Sequence, residues 1–376
     1  MEQSSKIFIA LGVVIIAIIA IFSFQKGTGT PSGFRQGILL TSRDVVVLSA
    51  AEKAARYPRA EEISTPDGFI NADKFTLADL AHDKKVVLVD FWTYSCINCE
   101  RTIPYLNAWY EKYHKQGFEI VGVHTPEFSF EKQYENVAAA VKKYHIKYPV
   151  VLDNDYSTWN SYKNLYWPHE YLIDEDGFII YDHVGEGNYD ETEQRIQSAL
   201  AARAKALHQD IVMPSGTTAV DASSGTDLSK VASPETYFGA ARNEYFGNGA
   251  PKKEIEVYFV VPRDALNPNK FYLGGKWNIV QEFAENKSPS AKISYRFHAK
   301  DVYLVASAQS PVKIQVFLDG APAGKAGGAD VSADGSVTIH NERLYHIVSN
   351  PAGYGEHILQ LIIEQPGLRA YTLTFG

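Results

Sequence analysis

The chain contains two cysteines, and they stand together as Cys96-Ile97-Asn98-Cys99. Paired sulfurs serve as structural disulfides, as metal ligands or as redox groups. A structural disulfide gains most by closing a long loop, because the unfolded chain then loses most entropy. A bridge across two residues closes almost nothing, stabilises little and is free to cycle. Two thiolates cannot complete a four-ligand structural zinc site, and no HxxxH pattern follows to supply the rest. Redox chemistry is the favoured reading, with Cys96 and Cys99 forming the working disulfide.

Such a pair works where a strand hands over to a helix. Residues 86–92, VVLVDFW, are β-branched and aromatic and read as a buried strand. A helix is expected over about 98–115, with Ile103, Leu106, Trp109, Tyr110 and Tyr113 at helical spacing and Gly117 ending it. Cys96 then sits at the helix N-terminus, where unpaired N–H groups and the macrodipole favour the thiolate. Cys96 is the expected exposed nucleophile. Cys99, one turn later, resolves the mixed disulfide.

Similar elements follow. Strands are expected at 118–124 and 148–152, and helices at 130–143, 158–164 and 191–207. Strands at 171–174 and 178–183 flank the turn Glu175-Asp176-Gly177. This alternation predicts an α/β domain over 61–208, a mixed sheet with helices on both faces. Residues 209–233, rich in Pro, Gly, Ser and Thr, read as a linker. From 234 to 376 helical patterning stops. Short alternating runs at 255–260, 292–297, 302–306, 313–318, 337–339, 357–363 and 371–375 predict an all-β, jelly-roll-like sandwich. Tyr272, Trp277, Tyr345 and Tyr354 in that part could stack on a glycan, although such aromatics are more often core. His298, His340, His346 and His357 are dispersed, so no metal site is expected, and no cofactor.

At the other end, residues 7–24 form an unbroken apolar run between Lys6 and Lys26. Its length is near the lower limit for crossing a membrane, and no small-x-small cleavage signature follows. A transmembrane anchor is expected, with the bulk of the chain extracytoplasmic, in the periplasm or cell envelope. Residues 25–60 form a tether, helical in part at AAEKAAR. A length of 376 residues with 45% hydrophobic and 21% charged content suits two folded domains. The net charge of −8 leaves no basic surplus for a nucleic-acid backbone.

The stretch Val-Asp-Phe-Trp-Thr-Tyr-Ser-Cys-Ile-Asn-Cys, 89–99, resembles the strand-turn-helix of the thioredoxin superfamily. Pro104 matches the proline that kinks the active-site helix of that fold. The long connection over 126–145 looks like the insertion of its TlpA-like, membrane-tethered branch. Finer detail, including Tyr-Trp-Pro-His-Glu-Tyr-Leu-Ile-Asp, is similar to the soluble portion of DipZ-type cytochrome c biogenesis proteins. That portion also carries a carbohydrate-binding-module-like sandwich. The resemblance implies roles for further residues. Asp90 falls where the family keeps a buried carboxylate behind the dithiol, and Pro168 where it keeps a cis-proline. Glu127 resembles a glutamate placed near the cysteines, and Trp167, Trp92 and Tyr94 are the implied substrate contacts. Ser95 departs from the family, which has Trp before its first cysteine. DipZ-type proteins carry a multi-span electron-conducting domain before this portion, so a separate membrane electron donor is implied here.

The expected activity is reduction of disulfides in exported proteins, cytochrome c assembly being one setting. A rival reading is a cell-envelope or glycan-binding protein with an accessory redox domain. A peroxidase ranks third, because Thr93-Tyr94-Ser95-Cys96 meets the peroxiredoxin spacing only superficially.

Overall fold

The structure, a computed structural model, describes residues 47–210, 212–214, 216–220, 226–262 and 266–376. The expected anchor at 7–24 and most of the tether lie outside the described residues. Among the described residues no helix is long and apolar enough to cross a membrane.

The first described helix, α1 (Ala50–Arg56), is started by a reciprocal capping box between Ser49 and Glu52. It is held down by a buried cation. Lys53 Nζ lies 3.0, 2.7 and 2.7 Å from the carboxylates of Asp174, Glu175 and Asp176, in the hairpin turn of the α/β domain. Residues expected to be tether therefore dock on that domain. Lys53→Met should lower stability by about 3 kcal/mol, because Asp174 and Glu175 would stay buried without a counter-ion. Thermal unfolding followed by circular dichroism checks this.

The α/β domain continues with β1 (Gly68–Ile70), α2 (Leu77–His82), β2 (Val86–Trp92), α3 (Ile97–Tyr113) and β3 (Phe118–His124). After these come α4 (Tyr134–Lys143), β4 (Val150–Leu152), α5 (Ser157–Ser161), β5 (His169–Ile173), β6 (Ile179–Val184) and α6 (Tyr189–Ala206). The sheet order is β1-β4-β3-β2-β5-β6. Strands β2, β3 and β4 run parallel, while β5, β6 and β1 are antiparallel to their neighbours. Every residue of β2, β3 and β5 is buried, as strands covered on both faces require. The expected helix over 130–143 is shorter than the pattern suggests. A 3-10 turn, Ser129–Lys132, precedes α4.

The second domain supplies β7 (Thr236–Tyr237), β8 (Ile255–Phe259), β9 (Phe271–Ile279), β10 (Ala284–Asn286), β11 (Ala291–Ala299) and β12 (Asp301–Ala308). It continues with β13 (Val312–Leu318), β14 (Ala321–Pro322), β15 (Ser336–Ile339), β16 (Arg343–Ser349), β17 (Gly355–Ile363) and β18 (Leu368–Phe375). The expected jelly-roll-like sandwich is corrected in one respect. The strands join into one continuous twelve-stranded antiparallel sheet that curls on itself, not two separate sheets. Strand β9 makes the join. Phe271 to Gly274 pair with β11, while Gly275 to Ile279 pair with β8. Gly275 has φ +91°, and a Cβ there would meet Ser288 Oγ at 2.8 Å, so the corner requires glycine.

The two domains share side-chain packing. Phe128 and Phe130, at the 3-10 turn, have ring centroids 5.1 and 4.9 Å from that of Tyr371 on β18. Tyr303, Val305, Leu344 and Tyr371 belong to the same apolar cluster as Leu106, Trp109 and Ile120. The segment expected as a linker also has anchors. Thr218 donates from its backbone N–H and hydroxyl to Glu193 at 2.5 and 2.8 Å.

Candidate active site

Cys96 is the N-cap of α3, and its Sγ accepts the Cys99 backbone N–H at 3.4 Å. The Cys96 thiol is half-buried and Cys99 is buried, and both are free thiols. Burial, the neighbouring Cys96 and the Asp90 charge push the Cys99 thiol well above its usual range. One sulfur is therefore accessible and the other is held protonated behind it.

The Trp167–Pro168 peptide bond is cis, and the Trp167 carbonyl lies 3.8 Å from Cys96 Sγ. Trp167 is fixed by its indole N–H, which donates to Thr125 O at 3.0 Å, and by Trp159, whose ring lies 4.2 Å away.

Asp90 is fully buried on β2, and burial pushes its carboxyl up to about 7. Its Oδ1 has no hydrogen-bond partner. Directly across the ladder stands Glu170 of β5, also buried, with Oε2 unpartnered. Burial and the Asp90 charge push Glu170 well above the usual carboxylate range. Two buried carboxyl groups thus stand opposite each other across the ladder, and the charge of Asp90 acts on Cys99. Sequence reasoning missed Glu170, although a glutamate inside a doubly covered strand was a visible anomaly.

Glu127 does not stand alone near the cysteines. Its Oε1 accepts from Arg242 Nη1 and Tyr237 OH, each at 2.7 Å. Behind it is a second missed residue, the fully buried Glu131. Glu131 accepts the Ser95 hydroxyl at 2.6 Å and the backbone N–H groups of Glu127 and Phe128 at 2.6 and 2.9 Å. Burial and the Glu127 charge push it up to about 7 against the pull of those donors. Ser95, where thioredoxins have Trp, is thus the tie between the cysteine loop and this network.

Two implied substrate contacts lie inside the first domain. Trp92 is fully buried, edge-on to His124 at 5.0 Å, and Tyr94 is 5% exposed and stacked on the same ring. Neither reaches the cleft. Trp167 does, lining a space of about 250 Å³ with Cys96, Ile97, Asn98 and Glu127. In the β-rich domain Tyr272, Trp277 and Tyr345 are buried and offer no face to a sugar. Among the described residues no cluster of three or more His, Cys, Asp or Glu side chains is placed to hold a metal.

A dithiol at a strand-helix junction, facing a cis-proline in this sheet order, defines a thioredoxin-like redox protein. Family comparisons agree. Residues 59–182 match the AhpC/TSA family model, and residues 233–376 match the model described as a thioredoxin-like C-terminal domain. The chain is 41% identical to protein DipZ of Mycobacterium bovis over 365 residues, covering 94% of this chain and 49% of that protein. The chain spans about half the length of the curated relatives that it matches along most of its own length. It is 31% identical to the thiol-disulfide oxidoreductase ResA of Bacillus thuringiensis over 134 residues, 34% of this chain and 75% of ResA. The thioredoxin domain of a thiol-disulfide oxidoreductase from Bacteroides vulgatus matches at 26% identity and a TM-score of 0.32, covering 37% of this chain and 95% of its own. The chain belongs to the thioredoxin-like thiol-disulfide oxidoreductase family.

Proposed function

We propose that this oxidoreductase reduces disulfides of exported proteins from a membrane-anchored, extracytoplasmic position, cytochrome c assembly being one setting that the resemblance of its motifs implies. The observation that carries the reading is the asymmetry of the pair. Cys96 is open to a cleft and capped by an N–H donor, whereas Cys99 is buried against Asp90. The Cys96 thiolate attacks a substrate disulfide, one substrate thiol leaves, and a mixed disulfide forms. Cys99 then loses its proton and attacks Cys96 Sγ, releasing the second substrate thiol. The enzyme is left with a Cys96–Cys99 disulfide, so two electrons have passed to the substrate.

Each turnover leaves the pair oxidised, so an electron donor must restore the two thiols, and a membrane donor is part of this proposal. The apolar run at 7–24 supports the anchor. Equilibrating the purified chain in thiol–disulfide buffers measures the reduction potential. A value near about −270 mV is the expected result for a reductase. A value near about −120 mV would assign the oxidising direction instead.

A further inference from the structure

The mouth of the dithiol cleft is built by both domains. Cys96, Ile97, Asn98, Leu165, Tyr166 and Trp167 form one side, and Glu235, Tyr237, Arg242 and Thr374 of the β-rich domain form the other. On the first side, Leu165 and Tyr166 are 72% and 52% exposed. They are two large side chains held at the surface beside the residue that faces Cys96.

The opposite wall is polar and has unequal charges. Its cation is already committed, with Arg242 Nη1 2.7 Å from Glu127 Oε1 and its guanidinium 3.7 Å from the centre of the Tyr237 ring. Tyr237 OH lies 2.7 Å from Glu127 and 2.7 Å from Glu235. A phenol has one proton, so it cannot serve both carboxylates. Glu127 has Arg242 as well. Glu235 has, besides that shared hydroxyl, Thr374 Oγ1 at 3.4 Å, and its side chain is exposed. Desolvation within the cleft and the Glu127 charge push Glu235 up to about 7, so above that pH the lining carries two carboxylates against one guanidinium, and Glu235 is the one with no cation of its own.

We infer that the β-rich domain is the specificity wall of the dithiol site, and that the site selects disulfides in peptide segments bearing a basic residue and an apolar residue beside the cysteine. The basic side chain supplies the cation that Glu235 lacks, and the apolar one covers Leu165 and Tyr166. The inference rests on the reductase reading and names its substrate class. It also gives the second domain a part in the chemistry that needs no sugar.

The test uses the reduced chain and matched cysteine peptides carrying a chromogenic aryl mixed disulfide, identical except for Lys or Glu beside the cysteine. Stopped-flow release of the aryl thiolate gives the rate constants. At low ionic strength the Lys peptide should react about five- to tenfold faster, the scale of one unscreened charge pair near a protein surface. The ratio should shrink in high salt. Glu235→Lys should invert it, and Glu235→Gln should bring it near unity. With Leu165→Ser, the advantage of a Leu-flanked over a Ser-flanked peptide should fall. A wild-type ratio near unity, or one that Glu235→Lys leaves unchanged, would overturn the inference while leaving the reductase reading in place. No reaction with any peptide would overturn the reductase reading itself.

Discussion

Cys99→Ser should abolish turnover and leave the enzyme covalently joined to its clients. The accessible Cys96 retains its N-cap donor and its helix terminus, so attack on a substrate disulfide proceeds. The buried residue that would expel the substrate is gone, and the mixed disulfide persists. Non-reducing gels of cells producing this variant should show new high-mass bands that collapse on reduction. Cys96→Ser should show none, because Cys99 is 1% exposed and cannot reach a protein disulfide. Equal trapping by both variants would reverse or erase the assigned roles.

The second large effect is expected at Asp90. Cys99 must lose a proton before it can resolve, and burial opposes its ionisation. A buried carboxyl held near 7, whose charge acts on Cys99, is a matched acceptor. Asp90→Asn should therefore slow resolution by about 10²–10⁴-fold, with a much smaller effect on attack by Cys96. Single-turnover reduction of a model disulfide between pH 6 and 9 separates the two steps. An unchanged rate and pH profile would reduce Asp90 to a structural residue.

The same substitution has a consequence for stability. An unfolded chain releases the Asp90 proton near pH 4, and the folded protein releases it near pH 7. Between those values the folded state binds more protons, so stability falls as pH rises through that window. The loss is on the order of 4 kcal/mol for a three-unit difference. Glu170 and Glu131, both raised by burial, act in the same direction. Asp90→Asn should be more stable than the wild type at pH 8 and nearly equal to it at pH 4. Melting curves across that range read the difference directly.

The chemistry of the pair was legible in the sequence because it is local. The strand over 86–92, the cysteines at its end and the proline at 168 are written in short stretches with distinctive residue types. Glu170 was not read, since its meaning depends on the register that sets it opposite Asp90. Glu131 was hidden for a related reason. The helical pattern over 130–143 absorbed a residue that the chain uses, in a 3-10 turn, to collect N–H and O–H donors from the cysteine loop. Strands β9 and β16 were missed because Gly274-Gly275 interrupts the alternation of one, and His346 breaks the apolar face of the other. The curl that brings Glu235 and Arg242 to the cleft has no local signature, being a product of the whole β-rich sheet.

Tyr371, on the last strand, packs edge-on against both Phe128 and Phe130 of the first domain, and Tyr303, Val305 and Leu344 sit within an apolar cluster shared with the first domain. The first domain therefore shares one of its two apolar clusters with the second. Calorimetry of the described unit should show a single endotherm whose van 't Hoff and calorimetric enthalpies agree, as for a protein melting all at once. Cutting the chain between the halves should yield a redox fragment that binds hydrophobic dyes and aggregates, because the aromatic side chains now enclosed would face water. Loss of the β-rich sheet would thus uncover aromatic surface of the catalytic half and remove one wall of its cleft at the same time.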